Sequence, residues 1–429
     1  MDTKSFSIIA ATFHGNRGAQ AMLETVIGRL SDADPQLRFN VFSYYPREDR
    51  QLVADPRVRI YSSTPLALVL WMFPWAVMFG LLRVLLGRWV LRLAPGSIRA
   101  LGTSKALVDL AGVAFIDGRE KFLPFNVLTL LPARLLGTPV VKMPQAVGPF
   151  ANTANRLAAA VVLPMCRMVW ARGARTREHL LQAPFDGVTF AQADDIAFNF
   201  QERWSLTHEG GGQLESVLDA LGVRRSDPGF RGVIGICPSS VVAVKSRQQG
   251  GRYEAVLSDL LVELDAQGFA VLLFPNATRA ASGEAERNND LPLIRRIQAA
   301  ATASGIAHPP LVVDFDVNAA SIKAVIARMD MVLVSRFHAM VGALSLAVPA
   351  AVLGWSHKYA EVMARFGLED CVMDYQQLDA AGLRRAVEQV FERRGEIGRV
   401  IQSRIGEVRA SAERPVTALL TDALGADLA

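Results

Sequence analysis

Met331-Val332-Leu333-Val334-Ser335-Arg336-Phe337-His338-Ala339-Met340 is the stretch that decides how this chain folds. The apolar, β-branched run 331–334 predicts a buried strand, and residues 339–346 predict the helix that follows it. A helix start carries partial positive charge, so two basic side chains placed there gain nothing from the dipole. Their position makes sense if an anion joins them. In open α/β sheets ligands bind beyond the carboxyl ends of the strands, which is where Arg336 and His338 fall. The plainer alternative is an ion pair from Arg336 to Asp314 or Asp316, with His338 serving only as a helix cap.

Working outward, the same strand–helix alternation recurs on both sides. Apolar runs at 7–13, 39–44, 107–116, 139–143, 168–171 and 188–190 alternate with helical stretches such as 19–30. A weakly apolar interval at 201–231, with Gly210-Gly211-Gly212 and Asp227-Pro228-Gly229, reads as a linker carrying one helix. A second series of strands is expected at 233–237, 270–274, 311–313, 331–334 and 350–353, with helices at 253–267, 291–304, 319–328 and 339–346. Residues 378–424 read as helical. The expected fold class is therefore α/β, with two Rossmann-like, doubly wound domains facing a cleft: residues 1–200, a linker at 201–231, and residues 232–429.

Composition narrows the function. A chain of 429 residues with 51% hydrophobic and 20% charged residues is globular and long enough for two cores. Its net charge of +5 is concentrated: no acid occurs between Pro56 and Val108, where Arg57, Arg59, Arg83, Arg88, Arg92, Arg99 and Lys105 lie. A basic surface confined to one segment argues against a nucleic-acid partner. The three cysteines, Cys166, Cys237 and Cys371, are widely spaced, which suggests neither a zinc site nor a disulfide framework, and a reducing compartment is expected. The start, Met1-Asp2-Thr3-Lys4, does not read as a signal peptide, and 6–13 is better used as a first strand.

The basic segment is also the most apolar. PLALVLWMFPWAVMFGLL, residues 65–82, has no charge and is followed by Arg83, Arg88 and Arg92. Its length is at the lower limit of a spanning helix, and Pro74 should kink it. A single span would divide the strands of one sheet between two sides of a bilayer. An apolar insertion at 65–93 lying on a membrane surface is the expectation, with a buried helix pair and a true span as alternatives.

Several loops carry chemistry-bearing residues. Gly15-Asn16-Arg17-Gly18 follows the first strand and opens a helix, and its two glycines would let the backbone approach a ligand closely. It is neither a dinucleotide fingerprint nor a P-loop. Asp117 and Gln145 end other strands. Arg172, in Ala171-Arg172-Gly173-Ala174-Arg175-Thr176, repeats the strand–arginine–helix arrangement of Arg336, and two such arginines suit a ligand with two anionic groups. Asp314-Phe315-Asp316 has the form of a metal-binding acid pair, but acids at a strand end commonly cap or pair, and no metal is expected.

In order, GNRGAQAML (15–23), QAVGPF (145–150), AR-x₃-T-x₃-L (171–180), DDIAF (194–198), NDLPLI (289–294), RFHAMVGALSLAVP (336–349) and Lys358 resemble the polysaccharide pyruvyl transferase family. The resemblance implies a GT-B-like pair of Rossmann-like domains, phosphoenolpyruvate as donor and a glycan as acceptor, lipid-linked or free, with no cofactor. By motif position it makes Arg172 and Arg336 donor-binding and His338 catalytic. Gly15, Asn16, Arg17, Gly18, Asp117, Gln145, Asn276 and Lys358 are then expected around the substrates. The chain departs from the family pattern in having Ala19-Gln20 where an acid is common, and Asn276 where a histidine is common.

The implied chemistry suits these residue types. Phosphoenolpyruvate carries a phosphate and a carboxylate, which two arginines can orient. Protonating its methylene carbon makes C2 electrophilic, a sugar hydroxyl adds there, phosphate leaves, and a second hydroxyl closes the ketal. Imidazole is suited to moving those protons near neutral pH. Two competing readings are a GT-B glycosyltransferase using a sugar nucleotide and a non-catalytic, membrane-associated glycan-assembly protein. The expected location is cytoplasmic, on the inner face of the cytoplasmic membrane.

Overall fold

The computed structural model describes residues 4–183, 185–201, 211–279, 288–377 and 379–424. The chain forms two compact units, one of Met1–Phe13, Met22–Thr207 and Ala410–Ala429, the other of His14–Ala21 and His208–Arg409. Of the expected linker, 202–210 lies outside the described residues, and Gly211–Ser226 is a helix.

The first unit holds a seven-stranded parallel sheet: β1 (Ser5–Ile9), β2 (Arg38–Ser43), β3 (Val58–Ser62), β4 (Leu107–Asp109), β5 (Val140–Gln145), β6 (Met168–Arg172) and β7 (Phe190–Ala193), in the order β3-β2-β1-β4-β5-β6-β7. The second holds β8 (Gly232–Cys237), β9 (Phe269–Leu273), β10 (Leu311–Val312), β11 (Met331–Val334), β12 (Ala350–Gly354) and β13 (Val372–Asp374), ordered β10-β9-β8-β11-β12-β13 and again parallel. Central strands such as β1 and β11 are buried at every residue, as continuous apolar runs covered by helices on both faces should be. In each sheet the strand order reverses once, between β1 and β4 and between β8 and β11. Such switch points open a crevice at the strands' carboxyl ends.

The structure refines three points of this reading. The run 107–116, expected as one strand, stays in the sheet only to Asp109, whose Oδ1 accepts the Ala111 amide at 3.0 Å and turns the chain out. β3 was hidden because Val58-Arg59-Ile60 alternates buried and exposed and so never forms an apolar run. At Pro74, where a kink is expected, Pro65–Leu86 stays helical, with a π turn at Leu68–Met72 just ahead of the proline. Widening there accommodates the carbonyl that would meet the proline ring. The helix packs closely on Leu131–Leu136, since a Cβ on Gly80 would lie 2.8 Å from the Leu135 carbonyl oxygen.

Candidate active site

The switch point of the second sheet is where chemistry-bearing residues gather. Arg336 follows β11 in extended conformation, and the next helix, Phe337–Ser345, starts two residues earlier than its apolar pattern suggests. His338 therefore sits in the first helical turn. Arg336 is paired, but with neither Asp314 nor Asp316. Its partner is Asp290, with no solvent exposure at the carboxylate and 11% at the arginine. Arg336 Nε donates to both Asp290 oxygens at 3.1 and 3.0 Å, Nη1 to Asn288 Oδ1 at 3.2 Å, and Nη2 to Ser240 Oγ at 2.9 Å and to Asp290. Burial works against its charge, but Asp290 more than offsets this and its pKa is raised. A guanidinium has five N–H donors, so the described partners leave one on Nη1.

Asp290 ties the switch point together. It also accepts the amides of Ser240 (3.0 Å), Asn276 (3.2 Å) and Ala277 (2.9 Å), so the chain leaving β8 and β9 is fixed to the carboxylate that fixes Arg336. Beneath it, Tyr253 donates to Ser335 Oγ at 2.8 Å and Tyr359 to the Ser335 carbonyl at 3.1 Å. Burial pushes both phenols well above their ordinary range, so they stay protonated donors.

The glycine loop belongs to the same place. The Arg17 amide donates to the Asn276 carbonyl at 3.2 Å and the Thr278 amide to the Gly15 carbonyl at 2.9 Å, so 15–17 lies as a short strip along 276–278. Asn16 caps the helix Arg17–Ala33, its Oδ1 accepting the Gly18 amide at 3.0 Å. Arg17 is buried, with Nη2 donating to Thr278 Oγ1 at 2.6 Å and to Asp316. Asp314 instead meets Arg295. The two acids thus serve two arginines. Among the described residues no group of three or more His, Cys, Asp or Glu side chains is placed to hold a metal.

Gly18 explains its own identity. A Cβ built on it would lie 2.0 Å from His338 Nδ1 and 2.6 Å from His338 Cβ, so this position leaves room for the imidazole only without a side chain. His338 is half-buried, with Nε2 shielded from solvent.

Two lysines border the same region. Lys358 Nζ lies 4.8 Å from the ring centres of both Phe337 and Trp355, and Lys245 Nζ lies 4.8 Å from the Trp355 ring centre. Two half-buried ammonium groups sharing one indole form a cationic rim. Beyond Trp355, the Lys245 ammonium has no hydrogen-bond or ion-pair partner among the described residues. Sequence reading missed Lys245, Ser240, Asn288 and Asp290. Only Asp290 lay within a quoted motif, and nothing in NDLPLI marks it as the partner of an arginine 46 residues away.

Arg172, Asp117 and Gln145 lie in the first unit. Arg172 Nη1 donates to buried Asp195 at 2.7 Å and Nη2 to the Gly112 carbonyl at 2.8 Å. Asp117 accepts the Ala151 amide and Asn155 Nδ2, each at 2.7 Å, which ties down the chain after β5. Gln145 is fully buried; its Nε2 donates to the Met143 carbonyl at 3.2 Å, while its Oε1 has no hydrogen-bond partner among the described residues. The three cysteines are buried thiols, with burial pushing Cys166 up to about 11 and Cys371 up to about 12.

Residues 16–357 match the sequence model of the polysaccharide pyruvyl transferase family. No curated protein gives a significant match. Among solved structures, the putative UDP-N-acetylglucosamine 2-epimerase of Listeria monocytogenes has a TM-score of 0.57 at 11% identity, covering 97% of this chain and 96% of that one. A glycosyltransferase of Rickettsia africae has a TM-score of 0.57 at 8% identity over 100% of both chains. The S. aureus MnaA–UDP complex has a TM-score of 0.56 at 11% identity, covering 97% and 96%. At such identities the likeness is one of fold: two Rossmann-like units of the GT-B type.

Proposed function

We propose, from the premise that this chain belongs to the polysaccharide pyruvyl transferase family, that its donor is bound and protonated at the switch point of the second sheet. The protein is an enzyme of that family's type, which uses phosphoenolpyruvate as donor without a resident cofactor. The observation that carries the placement is the meeting of three distant segments at one point. Gly18 packs on the His338 ring, and Asp290 holds Arg336 beside it.

In this reading Arg336, already oriented by Asp290, offers its remaining N–H to a donor oxygen. Lys358 and Lys245 supply the charge that Arg336, neutralised by Asp290, does not. His338 moves a proton between the acceptor hydroxyl and the donor. The methylene gains one proton as the first hydroxyl loses one; the second hydroxyl's proton leaves as the ketal closes, and phosphate departs. Gly15, Asn16, Arg17 and Asn276 build the wall behind the imidazole. Arg172, Asp117 and Gln145 are assigned to the substrates by motif and strand-end position alone. We place the enzyme in the cytoplasm, peripheral on the inner face of the membrane through 65–93, with a lipid-linked glycan as acceptor.

The deciding experiment is calorimetry with phosphoenolpyruvate and, separately, a sugar nucleotide, alongside phosphate release with a glycan acceptor. Binding of phosphoenolpyruvate with phosphate release supports the proposal; binding of the nucleotide alone would replace it with glycosyl transfer. Lys245→Ala should raise KM for phosphoenolpyruvate by about 10-fold or more, the worth of one hydrogen bond to a charged group. Gly18→Ala should lower kcat by up to about 10²-fold with secondary structure retained, because a methyl group there must displace the imidazole. Circular dichroism on the assayed sample separates that outcome from misfolding.

A further inference from the structure

The helix Pro65–Leu86 shows two unlike faces. Leu68, Met72, Ala76 and Phe79 point into the core of the first unit and are buried. On the other side stand Leu66, Leu70, Leu81 and Leu85, spaced four, eleven and four residues apart and therefore on one helical face. The 3-10 turn Arg88–Leu93 continues the surface with Trp89 and Leu93, and each of these six side chains is at least 56% exposed. Solvent-exposed leucine in this density marks a surface that a membrane or another protein covers. Arg88, Arg92 and Arg99 are exposed beside it, and no acid occurs anywhere between Pro56 and Val108. Apolar side chains whose own segment carries cations and no acid are complementary to an anionic bilayer, whose headgroups meet the arginines while its acyl chains take the leucines.

The helix is long enough to cross a membrane, but its connections oppose crossing. β3, which precedes it, and β4, which follows it, belong to one sheet, so the segment leaves and returns on the same side. Its inner face is also part of the unit's core and cannot turn toward lipid without opening that core.

We propose that residues 65–93 seat the first unit on an anionic membrane surface, with helix 65–86 lying in the plane of the headgroups. Leu66, Leu70, Leu81, Leu85, Trp89 and Leu93 enter the acyl boundary, and Arg88 and Arg92 bind phosphate headgroups. The surface sharpens the expectation from sequence, because Trp75 and Leu82 of the same segment pack inward on the core. The consequence for a lipid-linked acceptor rests on the pyruvyl-transfer reading; the seating itself does not.

Co-sedimentation of the full chain with phosphatidylcholine vesicles, with and without phosphatidylglycerol, tests the proposal. The protein should pellet with the anionic vesicles at low salt and less so at high salt. Leu85→Ser with Trp89→Ser should abolish pelleting, and Arg88→Gln with Arg92→Gln should weaken the binding constant by about 30-fold. All four positions are exposed, so phosphate release with a soluble acceptor should be unchanged. The proposal is overturned if wild-type protein stays in the supernatant. It is also overturned if carbonate washing fails to extract the protein from cell membranes, or if light scattering shows a dimer that Leu85→Ser with Trp89→Ser dissolves without altering vesicle binding. Absence of phosphoenolpyruvate turnover would instead strike the reaction and leave the seating intact.

Discussion

Alanine in place of His338 is expected to lower turnover by about 10²–10⁴, the usual loss for a single acid–base group. The fold should survive. His338 lies in the first turn of Phe337–Ser345, where alanine is a better helix former, and the ring is half-buried against Gly18 rather than locked in the core. Thermal melting and phosphate release on one preparation decide the matter, and full activity in a folded variant would remove the catalytic assignment. A double-variant cycle adds a sharper check. If Gly18→Ala acts only by displacing the imidazole, adding it to His338→Ala should cost almost nothing further. Independent losses would mean that Gly18 meets the substrate directly.

Much of this was legible in the sequence because apolar runs report strands buried on both faces. β11 occupies the residues its composition predicts, and the arginine and histidine after it fall at the carboxyl edge of the sheet. What local reading cannot supply is pairing across the fold. Arg336 had two acids at strand ends as apparent partners, yet those acids serve Arg17 and Arg295, while Asp290 reaches Arg336 from the start of the helix Leu291–Ala303. The glycines of the first loop suggested close approach to a ligand, and what the structure brings against Gly18 is a side chain 320 residues away. Lys245 was invisible for a different reason. An ammonium on a helix reads as ordinary surface until Trp355 and Lys358 are placed beside it.

Asp290→Asn should be the most destabilising conservative change in the second unit, by about 3–5 kcal/mol, the cost of leaving a buried charge without its partner. The carboxylate is fully buried and accepts from three backbone amides and from Arg336. An amide keeps the shape but has one acceptor end. Its NH₂ must therefore face either the guanidinium or the Asn276 and Ala277 amides, and every one of those groups is a donor. The loss should appear as a lower urea midpoint and a raised KM for phosphoenolpyruvate, since Ser240, Asn276 and Arg336 would all shift together. Arg336→Met in the same chain removes the stranded charge, and the double variant should recover part of the stability. It should not recover activity. A single variant within about 1 kcal/mol of wild type would show that Asp290 is not what holds the switch point together. Restored turnover in the double variant would show that the donor does not need the Arg336 guanidinium, because Asp290→Asn with Arg336→Met separates the scaffold role of the pair from its role toward substrate.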